Sequence, residues 1–154
     1  AFGDAMGKLH DYGLVEVIHK VVEKNTPFLG ICLGLQLMFE SSEETPGVEG
    51  LGILKGKIVK IPENGDLKIP HMGWNSLHFQ NEGRLFANLP QDSYVYFVHS
   101  YYLQADDETI VKATTDYSTC IHASVEKDNV FACQFHPEKS SDVGLTILKN
   151  FCEL

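Results

Sequence analysis

The stretch "PFLGICLGLQLMFESSEE", Pro27 to Glu44, decides how this chain is read. Phe28 to Ile31 is a short apolar run, the pattern of a buried strand, and Leu33 to Phe39 follows at once as a short helix. Between them stands one thiol, Cys32, with Gly30 and Gly34 on either side. A cysteine used only for packing sits well in the middle of a strand. At a strand-to-helix turn, G-x-C-x-G is the thiol counterpart of the G-x-S-x-G nucleophile elbow. The glycines leave room, the helix start favours thiolate over thiol, and the amide of Leu33 points toward a developing oxyanion. The same five residues also suit a packing thiol in a tight turn, so the elbow reading needs a base from elsewhere in the chain.

The chain has seven histidines. His10 and His19 fall on the N-terminal helical pattern and read as solvated, and His78 and His122 fall in polar strand contexts. His136 differs. It stands in "FACQFHPEKSS" directly after an apolar strand, with Pro137 holding it extended and Glu138 two residues on. Residues at i and i+2 of an extended segment face one side, so Glu138 can orient the imidazole. A strand-end histidine beside a solvated glutamate is the plain alternative. Cys32 and His136-Pro137-Glu138 taken together are more specific than either, because triads assemble in space from distant parts of a chain.

The rest of the chain is consistent with a single domain over residues 1–154. Leu14, Val17, Ile18, Val21 and Val22 mark one apolar helix face, Gly13 separates it from a shorter helix over 4–11, and Asn25-Thr26-Pro27 stops it. Beyond Pro46 the texture turns to short strands: Lys57–Ile61, Trp74–Phe79, Tyr94–His99, Thr109–Thr115, Ile121–Val125 and Val130–Phe135. Ser140 or Ser141 with Asp142 can cap a closing helix whose Val143, Ile147, Leu148 and Phe151 share a face. Helix, strand and helix, then strands and a final helix, predict an α/β fold with a parallel part and an antiparallel part.

Charge and cysteine usage exclude several classes. Twelve Lys and Arg against 21 Asp and Glu leave a net charge of −9, which argues against nucleic acid and against an anionic membrane surface. No apolar run approaches the ~20 residues of a membrane span. Cys32, Cys120, Cys133 and Cys152 show no zinc-like spacing and read as free thiols of a reducing, cytoplasmic setting. The pattern calls for no metal and no cofactor.

"PFLGICLGLQLMFESSEE" with "FACQFHPEKSS" resembles the class I, triad-type glutamine amidotransferases. The resemblance implies a flavodoxin-like sheet with flanking helices and an antiparallel extension. It also implies glutaminase chemistry, in which Cys32 attacks the side-chain amide of L-glutamine while His136 and Glu138 complete the triad. It places Gly34, Gln36, Glu44, Ser100 and Tyr101 around the glutamine and Leu33 at the oxyanion. Gln36 and Glu44 also read as exposed helix and loop residues. "PHMGWNSL" and "YVYFVHSYYL" resemble the branch of that family that serves imidazole glycerol phosphate synthesis in histidine biosynthesis. That branch passes ammonia to a (β/α)8-barrel cyclase subunit, with Trp74, Tyr96 and Lys139 toward the partner. Trp74 and Tyr96 equally suit a core. Other amidotransferases, a γ-glutamyl peptidase and a non-catalytic scaffold of the same fold are the competing readings, the last disfavoured because all three triad residues are present.

One departure is expected to matter. Members of the family begin with a strand, a helix and further strands, and with a Pro-Gly-Val-Gly-like loop that supplies an oxyanion amide. None of these is in the sequence, which opens at Ala1-Phe2-Gly3 and reads as an N-terminally truncated member. Phe28–Ile31 is then expected to have an unpaired edge.

Overall fold

The computed structural model describes residues 1–154. Helices α1 (Phe2–Asp11) and α2 (Leu14–Glu23) meet at Gly13, whose φ of 66° suits glycine. Strand β1 (Phe28–Ile31) leads through Cys32 into α3 (Leu33–Leu37). α3 is two residues shorter than its sequence pattern because Met38 and Phe39 donate to the carbonyls of Leu35 and Gln36, tightening the last turn to three residues. Then follow β2 (Ser41–Ser42), β3 (Gly56–Lys60), β4 (His71–Ser76), β5 (Tyr94–His99), β6 (Tyr101–Ala105), β7 (Val111–Tyr117), β8 (Thr119–Lys127) and β9 (Val130–Cys133), closed by α4 (Ser141–Cys152).

The strands form three sheets. The largest runs β1-β9-β8-β7, with β1 parallel to β9 and the other two pairings antiparallel. β2-β3-β6 make a second sheet and β4-β5 a two-stranded ribbon. The parallel and antiparallel parts of the sequence reading are thus joined in one sheet at β9. β4 starts three residues earlier than expected and ends at Ser76, because His71 pairs with His99 and the register runs on to Ser76 opposite Tyr94. His78, which the pattern put in that strand, makes only an isolated bridge to Thr114.

Two apolar layers cover the largest sheet. Alternation along β8 and β9 sends Val125, Val130 and Ala132 to one face, against Leu35, Met38 and Phe39. It sends Ala123, Phe131 and Cys133 to the other, against Phe97, Phe135 and Ile147 of α4. Each fully buried phenylalanine contributes roughly 1.5–3 kcal/mol. On α4 the expected face is the buried one, with Ile147 innermost and Val143 and Phe151 partly covered. Neither serine nor Asp142 caps that helix through its side chain. Ser140 is fully buried instead; its hydroxyl donates to the His136 carbonyl and accepts from the Tyr96 amide, so it ties β5 to the turn before α4.

The N-terminal helices depart further. α1 buries Phe2 and Met6, whereas α2 buries none of its residues, and Leu14 and Val17 are 40% and 50% exposed. The amphipathic pattern formed the helix, but its apolar face is only partly covered, Ile18 and Val22 packing against the core while Leu14 and Val17 stay open. β1 is the end strand of its sheet, paired only with β9. No helix is long and apolar enough to cross a membrane.

Candidate active site

The β1–β9 pairing assembles the site. In-register parallel strands end side by side, here with Ile31 opposite Cys133, and ligands gather at such carboxyl ends. The Cys32 amide donates to the Cys133 carbonyl at 2.7 Å, continuing the ladder one residue beyond β1. Gln134 then leaves the end of β9 next to the thiol, and His136 follows two residues on. Cys32 itself has φ 55° and ψ −107°, a conformation that a non-glycine residue holds only when its surroundings enforce it. Gly30 is part of that enforcement. A Cβ there would lie 2.8 Å from the backbone carbonyl of Gly34 and 2.6 Å from the Met38 methyl. A Cβ at Gly34 would meet nothing within 4 Å, so that glycine leaves open space beside the elbow.

Burial pushes the Cys32 thiol above its ordinary pKa, against the expectation of a thiolate at a helix start. The Leu33 amide and the Gln134 side chain pull it down by hydrogen bonding, Glu138 pushes it up and Lys139 pulls it down. α3 has only five residues, so its dipole is small beside the cost of burying charge. The thiol faces the Val98 carbonyl at 3.9 Å, and the Gln134 side-chain amide faces the sulfur at 3.7 Å. Cys133 is fully buried and pushed to about 12; Cys120 is exposed and raised, also mainly by burial.

His136 and Glu138 are brought together, though not by two extended residues. His136 is extended, but Pro137–Lys139 form a 3-10 turn, with proline at its first position where no N–H is needed. The turn carries Glu138 back so that its Oε2 accepts from His136 Nδ1 at 3.0 Å. That bond leaves Nε2 as the free basic nitrogen. The His136 amide donates to the Tyr96 carbonyl at 3.0 Å, which fixes the turn against β5.

A cavity of about 240 Å³ opens at Cys32, lined among others by Leu33, Gln36, Glu44, Ser100 and Tyr101. Those five residues come from α3, the β2 region and the β5–β6 junction. At about 30 Å³ of liquid volume per water, the space suits a molecule of amino-acid size. Gln36 is buried, not an exposed helix residue; its side-chain N–H groups go to the Tyr101 backbone carbonyl at 3.2 Å and the Gln134 side-chain oxygen at 3.1 Å. One Glu44 carboxylate oxygen accepts from the Phe2 amide at 2.7 Å. A roomier surface depression of about 600 Å³ around Phe79, Arg84 and Phe86 contains no nucleophile.

Trp74 is not a core residue. It is 52% exposed and lies edge-on to Tyr96 directly across the β4–β5 ribbon, with the exposed Lys139 on the turn that packs against β5. His71, His99 and Gln134 were not singled out by sequence reasoning, yet all three are buried beside the cavity or one residue pair away from it. The alternation of β5 put His99 on the buried side, and this was the available signal for it. No cluster of three or more His, Cys, Asp or Glu side chains is arranged to hold a metal.

The family model for "Glutamine amidotransferase class-I" matches residues 7–154. The imidazole glycerol phosphate synthase subunit HisH of Aquifex aeolicus is 52% identical over 151 residues, covering 98% of this chain and 72% of that protein. The subunit of the same name from Bacillus subtilis is 49% identical over 158 residues, covering 100% and 74%. Among solved structures, a glutamine amidotransferase superimposes with a TM-score of 0.66 at 19% identity, over 94% of this chain and 71% of that one. PurLQS from Thermotoga maritima gives 0.66 at 22% identity, over 91% and 67%. These last two likenesses concern the fold.

Proposed function

The chain belongs to the class-I glutamine amidotransferases, and from that premise we propose that it hydrolyses the side-chain amide of L-glutamine at Cys32 and supplies the ammonia for imidazole glycerol phosphate synthesis. The observation that carries this reading is the His136–Glu138 hydrogen bond of 3.0 Å, made on the turn that follows β9, beside a cysteine held in strained geometry at the end of β1.

In the proposed reaction the Cys32 sulfur attacks the amide carbon, and His136 Nε2 takes the thiol proton. The tetrahedral oxyanion is received by the Leu33 amide. Its collapse breaks the C–N bond, and the proton returns through His136 to the leaving nitrogen, which departs as ammonia. The γ-glutamyl thioester is then hydrolysed by water, with His136 again as base, so glutamine and water give glutamate and ammonia. Glu138 keeps Nδ1 protonated and stabilises the imidazolium that forms in each step. Ser100, Tyr101, Gln36 and Gly34 surround the glutamine, and the Glu44 carboxylate is suited to its α-ammonium group. Because the thiol starts protonated and half-buried, His136 must generate the thiolate during the attack.

Ammonia released to solvent would be lost as ammonium, so the product side is a cyclase subunit with a (β/α)8-barrel, the partner class of the synthase named in the relatives. Trp74, Tyr96 and Lys139 form the surface that suits it: an exposed tryptophan, the half-buried tyrosine it packs on and a cation around the turn that follows His136.

The test is covalent labelling with a diazoketone analogue of glutamine, read by peptide mass spectrometry, beside ammonia release with and without the cyclase of the same organism. The expected result is label on Cys32, none on Cys120, Cys133 or Cys152, and loss of labelling in His136→Asn. Partner should raise ammonia release. Uniform labelling of the exposed thiols with Cys32 unmodified would remove the glutaminase reading; labelling at Cys32 with no response to the cyclase would remove the partner.

A further inference from the structure

Two buried histidines take no part in the chemistry above. His71 and His99 face each other across the β4–β5 ribbon and are only 3% and 6% exposed. His71 is stacked between Tyr117 and Phe97, at ring distances of 4.0 and 4.7 Å. Their hydrogen bonds allow one assignment of protons. His99 Nδ1 lies 2.9 Å from the Tyr101 carbonyl, which can only accept, so Nδ1 carries the hydrogen. His99 Nε2 is then an acceptor, and His71 Nδ1, 3.0 Å away, donates to it. His71 Nε2 in turn accepts from the Asn75 side-chain amide at 3.3 Å. The orientation of Asn75 is fixed as well, since its oxygen accepts from the Ser76 amide and its second N–H donates to the Asp116 carbonyl. Burial holds both imidazoles neutral, with pKa values of about 4.

The same carbonyl continues the chain toward the nucleophile. Gln36 spends one side-chain N–H on Tyr101 O and the other on the side-chain oxygen of Gln134. With its oxygen so engaged, fully buried Gln134 can present only its N–H₂ group to the Cys32 sulfur. Every donor from Asn75 to Gln134 is oriented by its neighbour, and no buried side-chain nitrogen or oxygen is left without a partner.

We propose that Gln134 is a positioning residue for the nucleophile, its amide held with N–H toward the Cys32 sulfur by the His71–His99 pair acting through the Tyr101 carbonyl and Gln36. The proposal deepens the glutaminase reading and rests on Cys32 being the nucleophile. Chemically, the N–H stabilises the thiolate as it forms, while the reverse orientation would set a carbonyl oxygen against it. His99 and His71 act without touching the sulfur.

The test is the pH profile of carboxamidomethylation by iodoacetamide, read on the Cys32 peptide by mass spectrometry, in Gln134→Glu, Gln134→Met, His99→Asn and His99→Leu. The titratable groups around the sulfur, His136, Glu138 and Lys139 after β9 and Glu44 and the Ala1 amino terminus across the cavity, stay the same in all four. Only Gln134→Glu adds a carboxylate, so the uncharged Gln134→Met isolates the loss of the donor. Gln134→Glu replaces a donor with an acceptor, and the Cys32 inflection should rise by about one pH unit or more. Gln134→Met matches glutamine in length without its donor, should shift the inflection less, and keeps the test available if the glutamate variant does not fold. His99→Leu should move it in the same direction, and His99→Asn, which retains a donor for Tyr101 O, should restore most of the wild-type profile. An inflection that stays in place in a Gln134 variant with wild-type near-UV circular dichroism overturns the proposal. Absence of Cys32 labelling by the glutamine analogue in the wild type would instead overturn the glutaminase reading.

Discussion

At the scale of the residue, Cys32 is under opposed influences. Backbone geometry exposes it to the cavity, whereas burial disfavours its charged form. The unliganded thiol should therefore alkylate with an inflection above that of a free cysteine, so its reactivity at neutral pH should be lower. The two nearby charges act in known directions: Glu138→Gln should lower the inflection and Lys139→Met should raise it. Both side chains are exposed, so solvent and salt screening keep each shift small. Stopped-flow or mass-spectrometric alkylation at low and high ionic strength checks this. A rise in the inflection with Glu138→Gln would show that its hydrogen bond to His136 matters more to the sulfur than its charge.

Secondary-structure elements set the position of the turn that follows His136. α4 crosses directly beneath Pro137–Lys139, and Gly144 makes that crossing possible. A Cβ on Gly144 would lie 1.8 Å from the Pro137 carbonyl oxygen and 2.8 Å from its carbon, both backbone atoms with no rotamer to yield. Gly144→Ala should therefore destabilise the protein by about 1–3 kcal/mol despite the better helix propensity of alanine. It should also displace His136 and Glu138 and reduce glutamine hydrolysis more than stability alone explains. Urea unfolding together with the rate of Cys32 labelling by the glutamine analogue separates the two effects; an alanine variant as stable as the wild type would contradict the contact. α2 illustrates the opposite relation. Its apolar spacing correctly announced a helix and its stripe, but spacing contains no information about what covers the stripe, and here Leu14 and Val17 face solvent.

Over the whole molecule, the buried histidine pair ties stability to pH. His71 and His99 have pKa values near 4 in the folded protein and about 6.5 when unfolded. The unfolded chain thus binds more protons between those values, and stability is lost as pH falls from about 6.5 toward 4. The loss approaches about 3 kcal/mol for each histidine that charges only on unfolding. Urea midpoints measured across that window should fall steeply, and a flat profile would mean that the pair is charged in the folded protein. The sequence by itself determined the local and chemical facts: the elbow at Cys32, the imidazole–carboxylate pair of His136 and Glu138, the short strands and the α/β class. Those follow from residue type, spacing and the constraints of glycine and proline, which act within a few residues. Tertiary structure decided what depends on distant pairing: β1 beside β9, Trp74 outside and Gln36 inside, a serine that bridges where a cap was expected, and Gln134 turned toward the sulfur. The physical reason is that burial and hydrogen-bond partners are properties of a neighbourhood, and the neighbours of Cys32 lie about one hundred residues further along the chain.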